Sequence, residues 1–212
     1  MQDTLLPLFP LEVVLLPTNV LPLHIFEDRY KEMIGEAKRS QTEFGIVQAG
    51  EKGILNIGCT ATVEKVVQEY PDGRMDIVCL GRRRFEIVHL DDTKAYLRAS
   101  VNFFDDVANQ PRAPHNARIL ALACFELHRK HEGTERDTPD PDDPELSFKV
   151  VQHIADLGFR QTLLAMRSEA ERLAHINQFY PQYLANLKRA SHVKKVAPTN
   201  GHGFIALGKK DT

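Results

Sequence analysis

The stretch that decides the fold is residues 6–30, LPLFPLEVVLLPTNVLPLHIFEDRY, which is strongly apolar and repeatedly interrupted by proline. Proline fixes its own φ and biases the residue before it toward extended conformations. The stretch therefore predicts short extended pieces over residues 7–11, 13–16 and 21–25. A helix is predicted next, over residues 27–38, because apolar residues recur at helical spacing: Tyr30, Met33, Ile34 and Ala37.

Working outward, the rest of the first half predicts strands. Apolar and β-branched runs occupy residues 44–48, 57–70, 75–80, 84–89 and 96–104. Pro71-Asp72-Gly73 is typical of a hairpin turn between two of them. Several short strands with one helix, and no regular alternation of strand and helix, favour a small, mostly antiparallel barrel that is closed or half closed.

The second half predicts helices at residues 117–131, 146–157 and 161–166, with Gly158 as the C-cap of the second. A further helix starts at Ser168-Glu169-Ala170-Glu171, which has capping-box spacing. Its apolar spacing continues across Pro181, so we expect either a kinked helix or a new one beginning there. The acidic, proline-containing residues 132–145 predict a solvated connection.

These elements predict an α+β chain in three parts. Residues 1–110 form a barrel subdomain, residues 111–190 a small helical bundle, and residues 191–212 a flexible tail without periodicity. Basic side chains dominate the chain from position 188 onward: Lys188, Arg189, Lys194, Lys195, Lys209 and Lys210, against Asp211.

Composition indicates an ordinary globular protein. The chain has 212 residues, of which 42% are hydrophobic and 26% charged, with a formal net charge of −2. These values disfavour disorder and a surface that follows phosphate along its whole length. Three cysteines (Cys59, Cys79 and Cys124) cannot form a disulfide framework, and reduced, buried thiols are the simpler interpretation.

The apolar N-terminal stretch does not predict membrane insertion. Pro7, Pro10, Pro17 and Pro22 interrupt it, which is incompatible with a simple spanning helix. Gln2 and Asp3 stand where a signal peptide would carry basic residues. We therefore predict a cytoplasmic protein with no membrane partner.

Motifs for catalysis, cofactors and metals are missing from the sequence. It contains no G-x-x-x-x-G-K-[ST] loop, no strand followed by G-x-G-x-x-G and no G-x-S-x-G elbow. His128, His131 and Glu132 are the nearest approach to a metal cluster, but helix-end residues that interact with the dipole explain them equally well. Cys124 lies in an apolar helical run that suppresses thiol reactivity. We predict no catalytic residues, cofactor or metal.

Arg82, Arg83 and Arg84, followed by Phe85, are the candidate nucleic-acid contacts. Three consecutive arginines can bind phosphates, and the phenylalanine can stack on a base. The alternative is that Arg82 and Arg84 project to one side, Arg83 to the other, and Phe85 enters the core. The acidic balance of this half favours the alternative.

Several motifs resemble one family, the N-terminal substrate-binding domain of Lon proteases and the stand-alone proteins built from it. The motifs are Leu6 to Leu11, Val14 to Pro17, Leu21 to Tyr30, Gly58 to Val63, Asp72 to Arg74, Gly81 to Phe85, Arg160 to Leu164 and Glu171 to Leu173. The resemblance covers about residues 5–187. Ala165-Met166 departs from the family pattern, and no ATPase or peptidase region follows Leu187, so the full protease's activity cannot be carried over.

The resemblance implies a PUA-like pseudobarrel, then a helical bundle, together engaging protein substrates. We expect a non-enzymatic protein that recognises unfolded or tagged polypeptide and works with a separate ATP-dependent protease. Phe26, Tyr30, Phe103 and Phe104 are candidate polypeptide contacts, since an apolar groove suffices for such recognition. RNA binding through the barrel and Arg82 to Arg84 is the second hypothesis, and an undetected hydrolase is the third.

Overall fold

A computed structural model describes residues 5–51, 53–135 and 137–196. Within these ranges it has six strands and five helices. They are β1 (Leu6–Leu11), β2 (Val20–Ile25), α1 (Asp28–Ser40), β3 (Phe44–Gly50), β4 (Gly53–Glu69), β5 (Met75–Asp91), β6 (Arg98–Phe104), α2 (His115–Glu132), α3 (Leu146–Val150), α4 (Leu157–Ala165) and α5 (Glu169–Val196). The predicted α+β class is confirmed.

Five of the strands pair in a closed circuit. β1 pairs with β3, β3 with β4, β4 with β5, β5 with β6, and β6 with β1. The sheet is mixed, because β1 and β3 run parallel, with Leu8 opposite Gly45. The sequence predicted a mostly antiparallel barrel and gave no sign of this parallel pair. The connection between β1 and β3 contains both β2 and α1, so it does not show the simple strand–helix–strand pattern of a parallel pair. Leu8 and Phe44 are fully buried, as parallel strands in a core usually are.

β5 is one strand of 17 residues where the sequence predicted two separated by a turn. Its second half belongs to the barrel, and its first half pairs with the far half of β4 and with β2. Gly81 lies at the junction because a Cβ there would collide with the carbonyl oxygen of Leu16. Gly81 therefore permits the backbones of β5 and the Leu16 loop to approach closely. In the sequence, a glycine at this position suggests a turn instead.

Residues 13–16 are not a strand, and that prediction was wrong. Val14, Leu15 and Leu16 are buried in a loop, and the Val14 carbonyl accepts hydrogen bonds from Arg160 Nε (3.0 Å) and Nη2 (2.8 Å). The loop continues through Asn19, which donates to the carbonyls of Pro17 and Phe148. Its backbone is thus satisfied by side chains where a strand would use a neighbouring strand.

The predicted helix over residues 146–157 ends at Val150, and Gly158 is not its C-cap. Tyr180 donates to the Val150 carbonyl, and Arg160 donates to the carbonyls of Val151 and Gln152. These side chains take the acceptors that further helical turns would need. Gly158 lies inside α4, whose first turn is capped by the Asp156 carboxylate accepting from the Phe159 amide (2.8 Å).

α5 runs without a break across Pro181 as far as Val196, so no new helix begins at the proline. Ser168 accepts from the Glu171 amide at its start (3.3 Å), as the capping-box spacing predicted. The first six residues of the predicted tail, 191–196, are therefore helical. The rest of that tail, residues 197–212, lies outside the described residues.

One large hydrophobic cluster joins the barrel to the helices. It contains residues of α1 and the sheet, such as Met33 and Cys79, together with Phe125, Leu146 and Ile176 from the helical half. A second, small cluster fills the barrel: Leu6, Leu8, Val47, Phe85 and Ala99. The two halves therefore share a core and are not separated by a linker.

Candidate functional site

The first half of β5, the far half of β4 and the edge strand β2 form a three-stranded sheet beside the barrel. Side chains alternate along β2, so Leu21, Leu23 and Ile25 pack against the core. Val20, Pro22 and His24 face outward, opposite Leu80, Val78 and Asp76 of β5. We call the surface made by Val20, Pro22, Val78 and Leu80 the outer sheet face.

Apolar side chains dominate the outer sheet face, and β2 is an edge strand. Val20 is 57% exposed although it is a β-branched residue in a regular strand. β2 pairs with β5 alone among the described strands, and Pro22 in its middle has no N–H to offer a neighbour. An exposed apolar edge of this kind marks a place where another chain can bind.

A hydrogen-bonded polar group borders this surface. Asp76 accepts from the Tyr70 hydroxyl (2.7 Å) and lies 2.6 Å from His24 Nδ1. The hydrogen bonds from His24 and Tyr70 lower the pKa of the Asp76 carboxyl, and the bond to Asp76 raises the pKa of Tyr70. The carboxylate therefore stays ionised at neutral pH and disfavours phosphate nearby.

Of the predicted aromatic contacts, Phe26 and Phe103 are exposed. Phe26 is 59% exposed and stacks beside the His24 ring (6.0 Å between centroids), so it extends the outer sheet face. Tyr30 is buried, with its ring 4.0 Å from that of Phe9. Tyr30 therefore belongs to the core and does not share a surface with Phe26.

Phe103 and Phe104 lie opposite Phe85 and Arg84, in the middle of β5. Phe103 is 45% exposed, with the Arg83 guanidinium 3.8 Å from its ring centroid. Phe104 is buried, and the guanidinium groups of Arg84 and Arg167 lie 4.9 and 4.5 Å from its ring centroid. The four predicted aromatics do not form one surface.

The run Arg82 to Arg84 is neutralised by acids of the chain itself. Arg82 donates to Glu64 (2.8 Å) and Arg83 to Glu43 (3.0 Å), both at the surface. Arg84 is only 5% exposed, and its Nη2 donates to Asp106 (2.7 Å). The prediction that Arg84 contacts nucleic acid fails on this burial, because its guanidinium has no path to a phosphate.

Arg84 belongs to an interior network that the sequence did not reveal. Arg172, 1% exposed, donates to both carboxylate oxygens of Asp106 (2.6 and 2.7 Å) and to Glu169 (2.8 Å). Burial raises the pKa of Asp106, but the hydrogen bonds and charges of Arg172 and Arg84 outweigh it, and the net pKa is lowered. The network fixes the end of β6 to the start of α5.

A third buried arginine fastens the helical half to the loop before β2. Arg160 is 8% exposed and donates to three backbone carbonyls and to Asn19 Oδ1 (3.2 Å). Burial lowers the pKa of its guanidinium to about 10, which leaves the group charged at neutral pH. Arg84, Arg160 and Arg172 all stand in the motifs that carried the family resemblance, and their role is to lock the two halves together.

The cysteines and the histidine pair lie apart from these surfaces. Cys59, Cys79 and Cys124 are buried and unpaired. Burial raises the pKa of Cys59 and of Cys79 to about 12. His128 is buried, with Nδ1 3.1 Å from the Tyr180 hydroxyl. Within the described ranges no three His, Cys, Asp or Glu side chains converge as a metal-binding group.

In the described part of the chain, no helix has both the length and the apolar character needed to cross a bilayer. The fold defines a class: a barrel-and-bundle module with an exposed apolar sheet edge. The family model for the substrate-binding domain of ATP-dependent protease La (LON) matches residues 5–187. The chain belongs to this family.

Individual relatives agree with this assignment. The chain is 30% identical over 113 residues to the Lon protease of Parabacteroides distasonis, covering 49% of this chain and 14% of that protein. It is 22% identical over 200 residues to Lon protease 2 of Syntrophobacter fumaroxidans, covering 86% of this chain and 25% of that protein. The chain thus spans a quarter or less of these two relatives.

Solved structures show the same fold. A Lon N-terminal domain protein from Xanthomonas campestris superimposes with a TM-score of 0.68 at 22% identity, over 84% of this chain and 99% of that one. The N-terminal domain of Lon protease from Mycobacterium avium complex gives a TM-score of 0.60 at 19% identity, over 84% and 98%.

Proposed function

We propose that the chain binds unfolded or tagged polypeptide through the outer sheet face and carries out no catalysis itself. The observation that supports this most strongly is the exposed apolar edge at Val20 and Pro22, continued by Val78, Leu80 and Phe26. Unfolded chains expose apolar side chains, and burying each Å² of apolar surface is worth about 25 cal/mol. Because Pro22 removes a backbone donor from this edge strand, the apolar side chains carry the binding in this proposal.

In this proposal the chain is an adaptor or regulator of proteolysis in the cytoplasm. It would hold a polypeptide that a separate ATP-dependent protease then degrades. The membership of a substrate-binding domain family supports the binding role. The surface also suits a range of sequences, because it combines aliphatic side chains with the aromatic ring of Phe26.

Introducing a charged side chain on the apolar surface tests the proposal. Val20→Glu places a charge on the outer sheet face, and we expect affinity for a permanently unfolded probe, reduced and carboxymethylated α-lactalbumin, to fall about tenfold. Val88→Glu is the matched control, since Val88 is 60% exposed against 57% for Val20 and lies in the second half of β5, away from the outer sheet face. Fluorescence anisotropy titrations measure both.

Equal affinities for the two variants would contradict a role for the outer sheet face. Absence of wild-type binding at tens of micromolar would contradict the function itself. RNA is the other outcome of the same titration: binding of a labelled RNA that weakens steeply with salt would replace the polypeptide proposal. The pairing of Arg82 and Arg83 with Glu64 and Glu43 argues against that result.

A further inference from the structure

Helix α2 carries an apolar face that the described part of the chain leaves about half exposed. Ile119, Leu120 and Leu127 are 43%, 48% and 50% exposed, and Ala123 is exposed between them. Their spacing places these four side chains on one side of a helix. Ile119, Leu120 and Leu127 take no part in either hydrophobic cluster of the described residues. We call this surface the apolar face of α2.

Helix α5 ends beside this face. Asn177 Nδ2 donates to the Ala117 carbonyl (2.9 Å), and the Ser191 hydroxyl lies 3.1 Å from His131 Nε2. The same number of residues separates the two contacts in each helix, so α2 and α5 run side by side in the same direction. His131 stands one turn after Leu127, and both project to the same side of α2. The chain therefore leaves α5 next to the C-terminal end of the apolar face of α2.

The next apolar run in the sequence follows soon after α5. The helix ends at Val196, and Phe204-Ile205-Ala206-Leu207 begins eight positions later. The seven residues between them, APTNGHG, contain no Asp, Glu, Lys or Arg. They include one proline and two glycines, residue types that allow a chain to turn back on itself. We call residues 204–207 the apolar tail segment.

The connection is long enough to bring this segment onto the apolar face of α2. The helical rise places Val196 about 8 Å beyond Ser191, and Leu127 about 6 Å before His131. Seven residues span up to about 24 Å, which exceeds these two distances together. Four extended residues cover about 13 Å, and the helical rise between Leu120 and Leu127 is about 10 Å. The segment and the face therefore match in length.

We propose that the apolar tail segment folds back onto the apolar face of α2, with Phe204 near Leu127 and Leu207 near Leu120. Burial of apolar side chains from both sides drives this docking. A short connection gives the segment an effective concentration of about millimolar, so a face of four side chains is enough to hold it. A second copy of the chain is disfavoured as the occupant, because a stable interface between proteins takes about 20–30 residues a side. The inference is independent of polypeptide binding by the outer sheet face.

A single tryptophan tests the docking, because the sequence contains none. For the full chain with Phe204→Trp, we expect a blue-shifted emission maximum and weaker acrylamide quenching than for a synthetic peptide of residues 199–212 with the same change. A ring packed against the apolar face of α2 is removed from water, whereas the ring of the peptide is solvated. Emission and quenching equal to those of the peptide would overturn the inference.

A matched pair of leucine substitutions locates the segment. Leu127 is 50% exposed on the apolar face of α2, and Leu90 is 42% exposed on β5. In the Phe204→Trp background, Leu127→Glu should return emission and quenching to the peptide values, because docking would bury the new charge. Leu90→Glu should leave both unchanged. Leu120→Glu is a second variant on the apolar face and decides the test if the melting temperature shows that Leu127→Glu is not folded.

The remaining outcomes distinguish this docking from docking elsewhere. The blue shift should persist on about hundredfold dilution, since binding within one chain does not depend on protein concentration. Emission that moves toward the peptide value on dilution would mean that the segment binds a second copy, which contradicts the inference. A blue-shifted tryptophan that neither Leu127→Glu nor Leu120→Glu changes would place the segment on another surface and would also overturn it.

Discussion

Asp106 shows how much a single side chain can determine in this molecule. Its carboxylate, with a third of its surface exposed, neutralises two arginines whose side chains are 5% and 2% exposed. Removing the acid would leave Arg84 and Arg172 buried with one fewer counter-charge. A lost partner in a buried ion network is costly because the remaining charge keeps its desolvation penalty.

We therefore expect Asp106→Asn to lower the free energy of unfolding at pH 7 by about 3 kcal/mol. The folded-state pKa of Asp106 is lowered, so its stabilisation is fully present above the unfolded pKa and is lost as pH falls through the folded value. Urea unfolding between pH 7 and pH 3 should show a shallower acid dependence in the variant than in wild type.

Asp72→Asn is the comparison for this measurement. Asp72 is also bound to an arginine, Arg74 (2.7 Å), but both side chains are about half exposed. Solvent screens such a pair, so the variant should unfold close to wild type. Equal losses for Asp106→Asn and Asp72→Asn would mean that the interior network contributes nothing special.

At the scale of residues, strand alternation places neighbouring Phe103 and Phe104 on opposite faces, but no sequence pattern identifies the partner of Arg84. Asp106 is 22 positions away from Arg84 and 66 from Arg172 in the sequence. No local pattern marks an acid that two distant arginines share. Phe26 and Tyr30 stand four positions apart, but only Tyr30 lies in α1, so helical spacing does not place them on one face.

At the scale of elements, β5 carries the largest departure from local prediction. Its glycine at position 81 permits the strand to pass directly under the loop at Leu16, where Gly81 also exchanges backbone hydrogen bonds with Thr18 and Asn19. β5 therefore contributes to the barrel and to the outer sheet face, and it also hydrogen-bonds to the buried loop before β2. A side chain at this one position would disturb all three.

Gly81→Ala should lower the free energy of unfolding by at least about 2 kcal/mol, since backbone must move to admit the methyl group. Gly50→Ala serves as the control, because no atom lies within 4 Å of a Cβ built there. Chemical denaturation of both variants measures the difference. Similar stabilities would show that the Leu16 loop yields easily and that Gly81 has no steric role.

Helices and strands were predictable where their own apolar periodicity sets their bounds. They were not predictable where side chains from other elements bind their backbone. The helix from residue 27 and the strand at 44–48 agree with α1 and β3 to within a few residues. Residues 13–16 and 151–157 were assigned wrongly because side chains outside these segments bind the carbonyls that decide them. Arg160 donates to the carbonyls of Val14 and Val151, and Tyr180 donates to that of Val150. Hydrophobic patterning reports burial, but it does not report which group accepts or donates each hydrogen bond.

At the scale of the whole molecule, the shared core predicts that barrel and bundle unfold together. The large cluster includes residues from both, and Arg84, Arg160 and Arg172 cross between them. Native-state hydrogen exchange should give the amides of β4 and of the buried part of α5 the same opening free energy. A separate, lower value for α5 would divide the chain into independently folding units.

The α+β architecture and the family were predictable from the opening motif, while the proposed binding surface was not. The outer sheet face needs β2 and β5 to be adjacent, although Val20 and Leu80 are 60 positions apart. A groove between the start of β4 and α4 likewise combines Leu55 with Met166. Surfaces assembled from distant segments follow from topology, which the sequence alone did not specify.

The burial of the three thiols has a chemical consequence. With the pKa of Cys59 and Cys79 at about 12, only about one thiol in 10⁵ is ionised at pH 7. Alkylating reagents and peroxides attack the thiolate, so they meet these sulfurs only while the fold is transiently open. The rate at which each cysteine reacts with such reagents therefore reports the opening of its own region: the barrel for Cys59, the sheet beside it for Cys79 and the bundle for Cys124.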